Sequence, residues 1–129
     1  MDVGAGVAET FYRIEGASII STETHVSISS KPFTVYRVEV VPVAAAPWVV
    51  AKRFSEFGDL RAALLAIDKK GQQVLAKQDF PQKHLYGSMQ EEVVAGRLQK
   101  LQAWLNVVVQ HYRNAVPLLT FLADDGSEN

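Results

Sequence analysis

The stretch from Ser88 to Tyr112 constrains the fold most, because it predicts one long amphipathic helix. It opens with Ser88-Met-Gln-Glu91, a capping box in which the first and last side chains bond backbone N–H groups of the first turn. Apolar residues then recur at alternating steps of four and three and form one stripe: Val94, Leu98, Leu101, Leu105 and Val108. The pattern indicates a helix of about six turns ending near Tyr112.

Two further helices are predicted around this one. Ser55 is a suitable N-cap residue, and the apolar residues behind it keep helical spacing as far as Ile67. Pro117–Ala123 is predicted to form a short last helix, with proline in its first turn. The connection Gly71–Gly87 has no sustained period apart from possible order at Gln72–Lys77, and long loops of this kind are often functional.

The first half of the chain reads as strands instead. Phe11–Ser21, Phe33–Val43 and Pro47–Phe54 are rich in β-branched and aromatic residues. In the second strand, alternate residues are expected to share a buried face: Tyr36, Val38 and Val40. The sequence therefore predicts an α+β fold, in which a three-stranded antiparallel β-meander packs against a helical subdomain of three to four helices.

Composition limits the possible functions. The 129 residues suit one domain, and a net charge of −1 is too small for binding nucleic acid through a global field. No cysteine is present, which excludes disulfides and thiolate sites. No apolar run approaches the ~20 residues of a membrane span, and Met1–Ala8 lacks the features of a signal peptide. These features predict a cytoplasmic domain that meets membranes only peripherally.

Catalytic and metal-binding patterns are missing from the sequence. His25, His84 and His111 are scattered and lack the spacing of metal ligands. Neither a nucleophile elbow nor a phosphate-binding glycine loop occurs. We therefore expect a domain that is not an enzyme and needs no cofactor or metal.

Three segments carry a family resemblance. Lys52–Phe57, which reads Lys-Arg-Phe-Ser-Glu-Phe, resembles the motif of Phox-homology (PX) domains at the end of their third strand. Phe80–Gly87 resembles the proline-lysine loop of that family, although Pro81 is its only proline, which leaves an SH3-binding role unsupported. Glu91–Leu105 resembles the helix that follows the loop. The resemblance implies a PX domain over residues 11–123, similar to those of sorting nexins. The small-residue-rich start and the polar end of the chain predict flexible tails at 1–10 and 124–129.

The resemblance also implies a phosphoinositide site. Arg53 would bind the 3-phosphate, for which a guanidinium offers a planar fork of donors. Phe54 would form a wall beside the inositol ring, Lys83 would meet the 1-phosphate, and Arg97 would bond inositol hydroxyls. The implied function is recognition of phosphatidylinositol 3-phosphate on endosomal membranes, with protein partners possible through a longer parent chain.

Each of these residues also has a simpler interpretation. Arg97 could pair with Glu91 or Glu92, and Phe54 could belong to the core. Strand alternation should turn Lys52 away from Arg53, which predicts a surface position. The corresponding functional alternative is a PX-like domain used for protein–protein contact, with weak or no lipid binding.

Leu85 and Tyr86 follow Lys83 in the loop. If exposed, they would insert into the lipid interface, where a buried apolar side chain contributes about 1.5–3 kcal/mol. If they instead pack on the sheet, they would anchor the loop. The sequence leaves both possibilities open.

Overall fold

A three-stranded sheet followed by helices makes up the part of the chain that the computed structural model describes, residues 13–67, 72–82 and 91–124. The elements are β1 (Ile14–Ser27), β2 (Ser30–Pro42), β3 (Trp48–Arg53), α1 (Phe54–Ile67), α2 (Gln72–Lys77), α3 (Glu91–His111) and α4 (Val116–Leu122). The strands pair antiparallel in the order β1-β2-β3. The predicted α+β architecture is confirmed. Of the two predicted tails, only Asp124 lies within the described residues.

The core lies between one face of the sheet and the helices. The predicted face of β2 is fully buried, because Tyr36, Val38 and Val40 all pack inward. They meet a cluster of buried apolar side chains from the helices: Phe57, Leu64, Leu101, Trp104, Leu105, Leu118 and Leu122. Edge-to-face ring contacts run through this cluster from Tyr36 to Phe57 and from Phe57 to Phe121, an arrangement that aromatic pairs favour.

The first strand is longer than predicted. It continues to Ser27 rather than ending at Ser21, while Phe11 and Tyr12 lie outside the described residues. Residues 23–27 are exposed and mostly polar, so they lack the hydrophobic alternation that would predict this part of the strand. Backbone pairing extends it instead, since a two-residue turn at 28–29 lets β1 and β2 pair as far as Ser27 and Ser30.

No linker separates β3 from α1. The helix begins at Phe54, so the predicted N-cap at Ser55 is wrong and Ser55 lies in the first turn. The backbone N–H of Arg53 donates to Glu56 Oε1 at 2.9 Å. This is the carboxylate half of a capping box, in which the third helical residue bonds back to the capping position. Sheet and helix together therefore fix the backbone at Arg53 and Phe54.

The remaining helices lie close to their predicted bounds. α3 ends at His111, one residue before the predicted end, and the predicted cap at Ser88 lies outside the described residues. On its stripe Leu101, Leu105 and Val108 are buried. Within the described residues, no helix combines the length and apolar character needed to cross a bilayer.

Gln102 attaches α3 to the outer edge of β1. The backbone N–H of Ile19 donates to Gln102 Oε1 at 2.6 Å, and Gln102 Nε2 donates to the carbonyl of Ala17 at 3.2 Å. The side-chain amide thus bonds the strand as a neighbouring strand's backbone would. Because α3 also carries Arg97, this contact sets the position of Arg97 relative to the sheet.

We expect Gln102→Ala to lower the free energy of unfolding by about 1–3 kcal/mol, since it leaves an N–H and a carbonyl of β1 without these partners. Urea denaturation measures the change. Gln99→Ala, at an exposed position of the same helix, is the matched control and should have little effect. Equal stability of the two variants would show that water replaces the amide without loss.

Candidate functional site

Arg97 is a buried cation on α3. It is only 9% exposed, and its Cζ lies 4.1 Å from the centroid of the Phe54 ring. Among the described residues its Nε has no hydrogen-bond partner. Neither Glu91 nor Glu92 forms an ion pair with it, so the pairing considered from the sequence is wrong. A buried guanidinium without a carboxylate is costly unless an anion or a set of acceptors meets it.

Tyr36 lies beside Arg97 at the inner end of the site. Its side chain is fully buried, and its hydroxyl makes no hydrogen bond of normal geometry within the described part of the chain. Burial raises the pKa of Tyr36, while the positive charge of Arg97 offsets part of this rise. The hydroxyl therefore stays protonated at neutral pH.

Phe54 contacts both the core and Arg97. It is partly buried and packs against the core cluster. Its ring stacks on Phe80 at 5.8 Å between centroids, and Phe80 meets the ring of Trp104 edge to face at 5.0 Å. This aromatic column connects the ring beneath Arg97 to the centre of the core. The ring that Arg97 contacts is consequently held in place from below.

Arg53 lies at the exposed end of β3, on the outer face of the sheet. It pairs with Val35 of β2, and its Cζ lies 4.1 Å from the centroid of the Phe33 ring. None of the described carboxylates forms an ion pair with its side chain. Arg53 and Arg97 thus contact different rings, Phe33 and Phe54, and neither guanidinium forms an ion pair with a described carboxylate.

A cavity of about 460 Å³ opens beside Arg97, within the size range of small-ligand sites. It is lined by residues 79–82, in the first part of the connection between α2 and α3, and by one side of α3, including Glu92, Gly96 and Lys100. Lys100 pairs with Asp79 at 3.5 Å, so acids partly balance the cations of the lining. In the described ranges no group of three or more acidic or histidine side chains is placed to hold a metal ion.

The structure brings together only part of the site predicted from the sequence. Phe54 and Arg97 are in contact, and Arg53 adjoins Phe54 in the chain. Lys83, Leu85 and Tyr86 lie outside the described residues. Sequence reasoning missed three aromatic residues near these cations: Phe33 contacts Arg53, Phe80 stacks on Phe54, and Tyr36 lies beside Arg97. Strand register, which the sequence does not display, places Phe33 beside Arg53.

Lys52 is buried, so its predicted surface position is wrong. It is 7% exposed and pairs across the sheet with Tyr36, which faces the core. Its aliphatic stem covers apolar surface while Nζ lies 5.0 Å from the Phe121 centroid and 3.9 Å from Glu56 Oε2. Strand alternation does place Lys52 and Arg53 on opposite faces, but Lys52 faces the core and Arg53 faces solvent.

The family model described as PX domain matches residues 42–125, which include β3, the four described helices and the connection between α2 and α3. The chain belongs to the PX domain family. PX domains are phosphoinositide-binding modules without catalytic activity, which fits the predicted non-enzymatic role.

Solved PX structures share the fold. A designed CISK-PX domain is 23% identical, with a TM-score of 0.68 over 82% of this chain and 96% of that one. The mouse SNX19 PX domain with a bound sulphate ion is also 23% identical, with a TM-score of 0.64 over 87% of this chain and 97% of that one. No curated protein matches the chain.

Proposed function

We propose that this PX domain recognises phosphatidylinositol 3-phosphate and thereby attaches its parent protein to endosomal membranes. The observation that carries the proposal is Arg97, a cation 9% exposed that lies on an aromatic ring beside a cavity and has no described carboxylate partner. Burial of such a charge is favourable when an anionic or polyhydroxyl ligand completes its hydrogen bonds.

Each of the four predicted residues contacts a different part of the headgroup. Arg53 binds the 3-phosphate from the sheet, Phe54 flanks the inositol ring, and Arg97 bonds the ring hydroxyls from α3. Lys83 meets the 1-phosphate from the loop. The mouse SNX19 PX domain with its sulphate ion supports the capacity of this fold to bind a tetrahedral oxyanion.

Selectivity is expected to come from the site rather than from overall charge. The net charge is −1, and Asp79 and Glu92 lie at the cavity beside the cations. A membrane whose negative charge is spread diffusely should therefore bind this surface only weakly. A headgroup whose phosphates have fixed positions should bind more tightly, because each phosphate meets its own cation.

We expect vesicles that contain phosphatidylinositol 3-phosphate to recruit the domain at least ~10-fold better than vesicles with the same total charge from phosphatidylserine, which corresponds to one well-formed phosphate contact. Sedimentation of the two vesicle types measures the ratio. Vesicles with phosphatidylinositol 4-phosphate are the stereochemical control. Equal recruitment by all three would show that charge alone drives binding.

The β1–β2 hairpin supplies a further membrane contact. β3 ends at Arg53, opposite Val35, so residues 30–34 of β2 continue past it by roughly 15 Å. Near the tip Val26 is 76% exposed and Ile28 is fully exposed. We propose that these two side chains enter the lipid interface beside the headgroup site, together with Leu85 and Tyr86 of the loop.

A further inference from the structure

The ring of Phe33 lies in a stack that crosses all three strands. His25 of β1 pairs with Phe33 of β2, and their ring centroids are 5.3 Å apart. On β3, the Arg53 guanidinium lies 4.1 Å from the Phe33 centroid. The stack occupies the outer face of the sheet, away from the core, and Phe33 itself remains partly exposed. Phe33 is neither in the core cluster nor among the apolar side chains packed against it.

The contact with the Phe33 ring leaves N–H donors of Arg53 available for a ligand. A Cζ distance of 4.1 Å requires the guanidinium to approach the face of the ring, because an approach to the ring edge keeps the group farther from the centroid. A guanidinium carries five N–H donors in one plane, so a contact with one ring face leaves several of them pointing away from the ring. A phosphate can accept two of these bonds while the ring contact persists.

We propose that Phe33 is a positioning residue, which holds the Arg53 side chain in the orientation that binds phosphate. The inference rests on the proposed function, because it assigns the 3-phosphate to Arg53. A free arginine side chain samples many rotamers, and ordering it opposes binding. Stacking on Phe33 restricts these rotamers before the ligand arrives. The backbone of Arg53 is already fixed by its strand pairing and by Glu56, so the ring acts on the side chain alone.

Phe33→Leu tests this role, since leucine keeps an apolar side chain of similar size but has no π face. We expect it to weaken binding of soluble inositol 1,3-bisphosphate about 2- to 5-fold, which is the range for an exposed cation–π contact converted to affinity. Phe33→Tyr keeps the ring and should bind like the parent. Isothermal titration calorimetry measures the affinities, and thermal unfolding confirms that each variant is folded.

A double-variant cycle separates positioning from general structural damage. In an Arg53→Ala background, Phe33→Leu should have no further effect on affinity, because the side chain that it positions is gone. An equal loss in both backgrounds would overturn the inference and indicate a distorted hairpin. Parental affinity of Phe33→Leu would also overturn it while leaving the proposed function intact. A parent domain that binds none of the headgroup would overturn both.

Discussion

Arg53→Ala is expected to reduce affinity for phosphatidylinositol 3-phosphate vesicles by roughly 30- to 4,000-fold. The substitution removes a charge-assisted and potentially bidentate phosphate contact, whose loss costs about 2–5 kcal/mol. Folding should survive, because the side chain is exposed and its described contact is the ring of Phe33, a cation–π interaction of about 0.5–1 kcal/mol. Vesicle sedimentation and thermal unfolding without lipid measure the two effects.

Arg113→Ala is the matched control, since it removes one positive charge from an exposed position after α3. It should leave binding nearly unchanged, which separates a site-specific loss from a general loss of charge. Arg53→Lys should recover only part of the affinity, because an ammonium lacks the planar fork. Parental binding by Arg53→Ala would contradict the assignment and favour the protein–protein alternative.

Substitution of both Val26 and Ile28 by serine should weaken binding to vesicles but not to a soluble headgroup. Full burial of such a side chain contributes about 1.5–3 kcal/mol. If each of the two side chains is half buried in the membrane, their combined loss lowers vesicle affinity by about 10- to 150-fold. Both side chains are exposed near the turn, so the variant should fold normally. Paired measurements with vesicles and with inositol 1,3-bisphosphate test the expectation.

Val43 and Val116 provide the control pair. They are also exposed, at 53% and 62%, but Val43 follows the opposite end of β2 and Val116 begins α4. Their replacement by serine removes exposed apolar surface away from the hairpin tip and should not affect vesicle binding. If the hairpin variant lost headgroup affinity to the same degree as vesicle affinity, the tip would shape the pocket instead of entering the membrane.

Local patterns were sufficient to predict most of the architecture. Apolar spacing in α3 and alternation in β2 both depend on burial of one face, so the sequence records them directly. The end of β1 could not be found in this way, because its exposed residues are held by pairing with β2 rather than by burial. The start of α1 was misplaced because Glu56, rather than Ser55, caps the helix.

The candidate site was predictable only where the motif itself contains the residue. Arg53, Phe54 and Arg97 follow from the family resemblance. Strand register brings Phe33 to Arg53, and tertiary packing brings Tyr36 to Arg97. These partners are far apart in the sequence, so no local pattern predicts their contact. The burial of Lys52 had the same cause, because alternation tells which residues share a face but not which face meets the core.

Because β3 joins α1 directly, the chain cannot gain or lose a residue between Arg53 and Phe54 without moving the side chains of α1. One residue inserted between Arg53 and Phe54 would rotate the phenyl ring by about 100° around the α1 axis, away from Arg97. The same insertion within 43–47, between β2 and β3, would add only to an exposed connection. Relatives of this domain should therefore vary in length in the connection between β2 and β3, and never at the junction of β3 and α1.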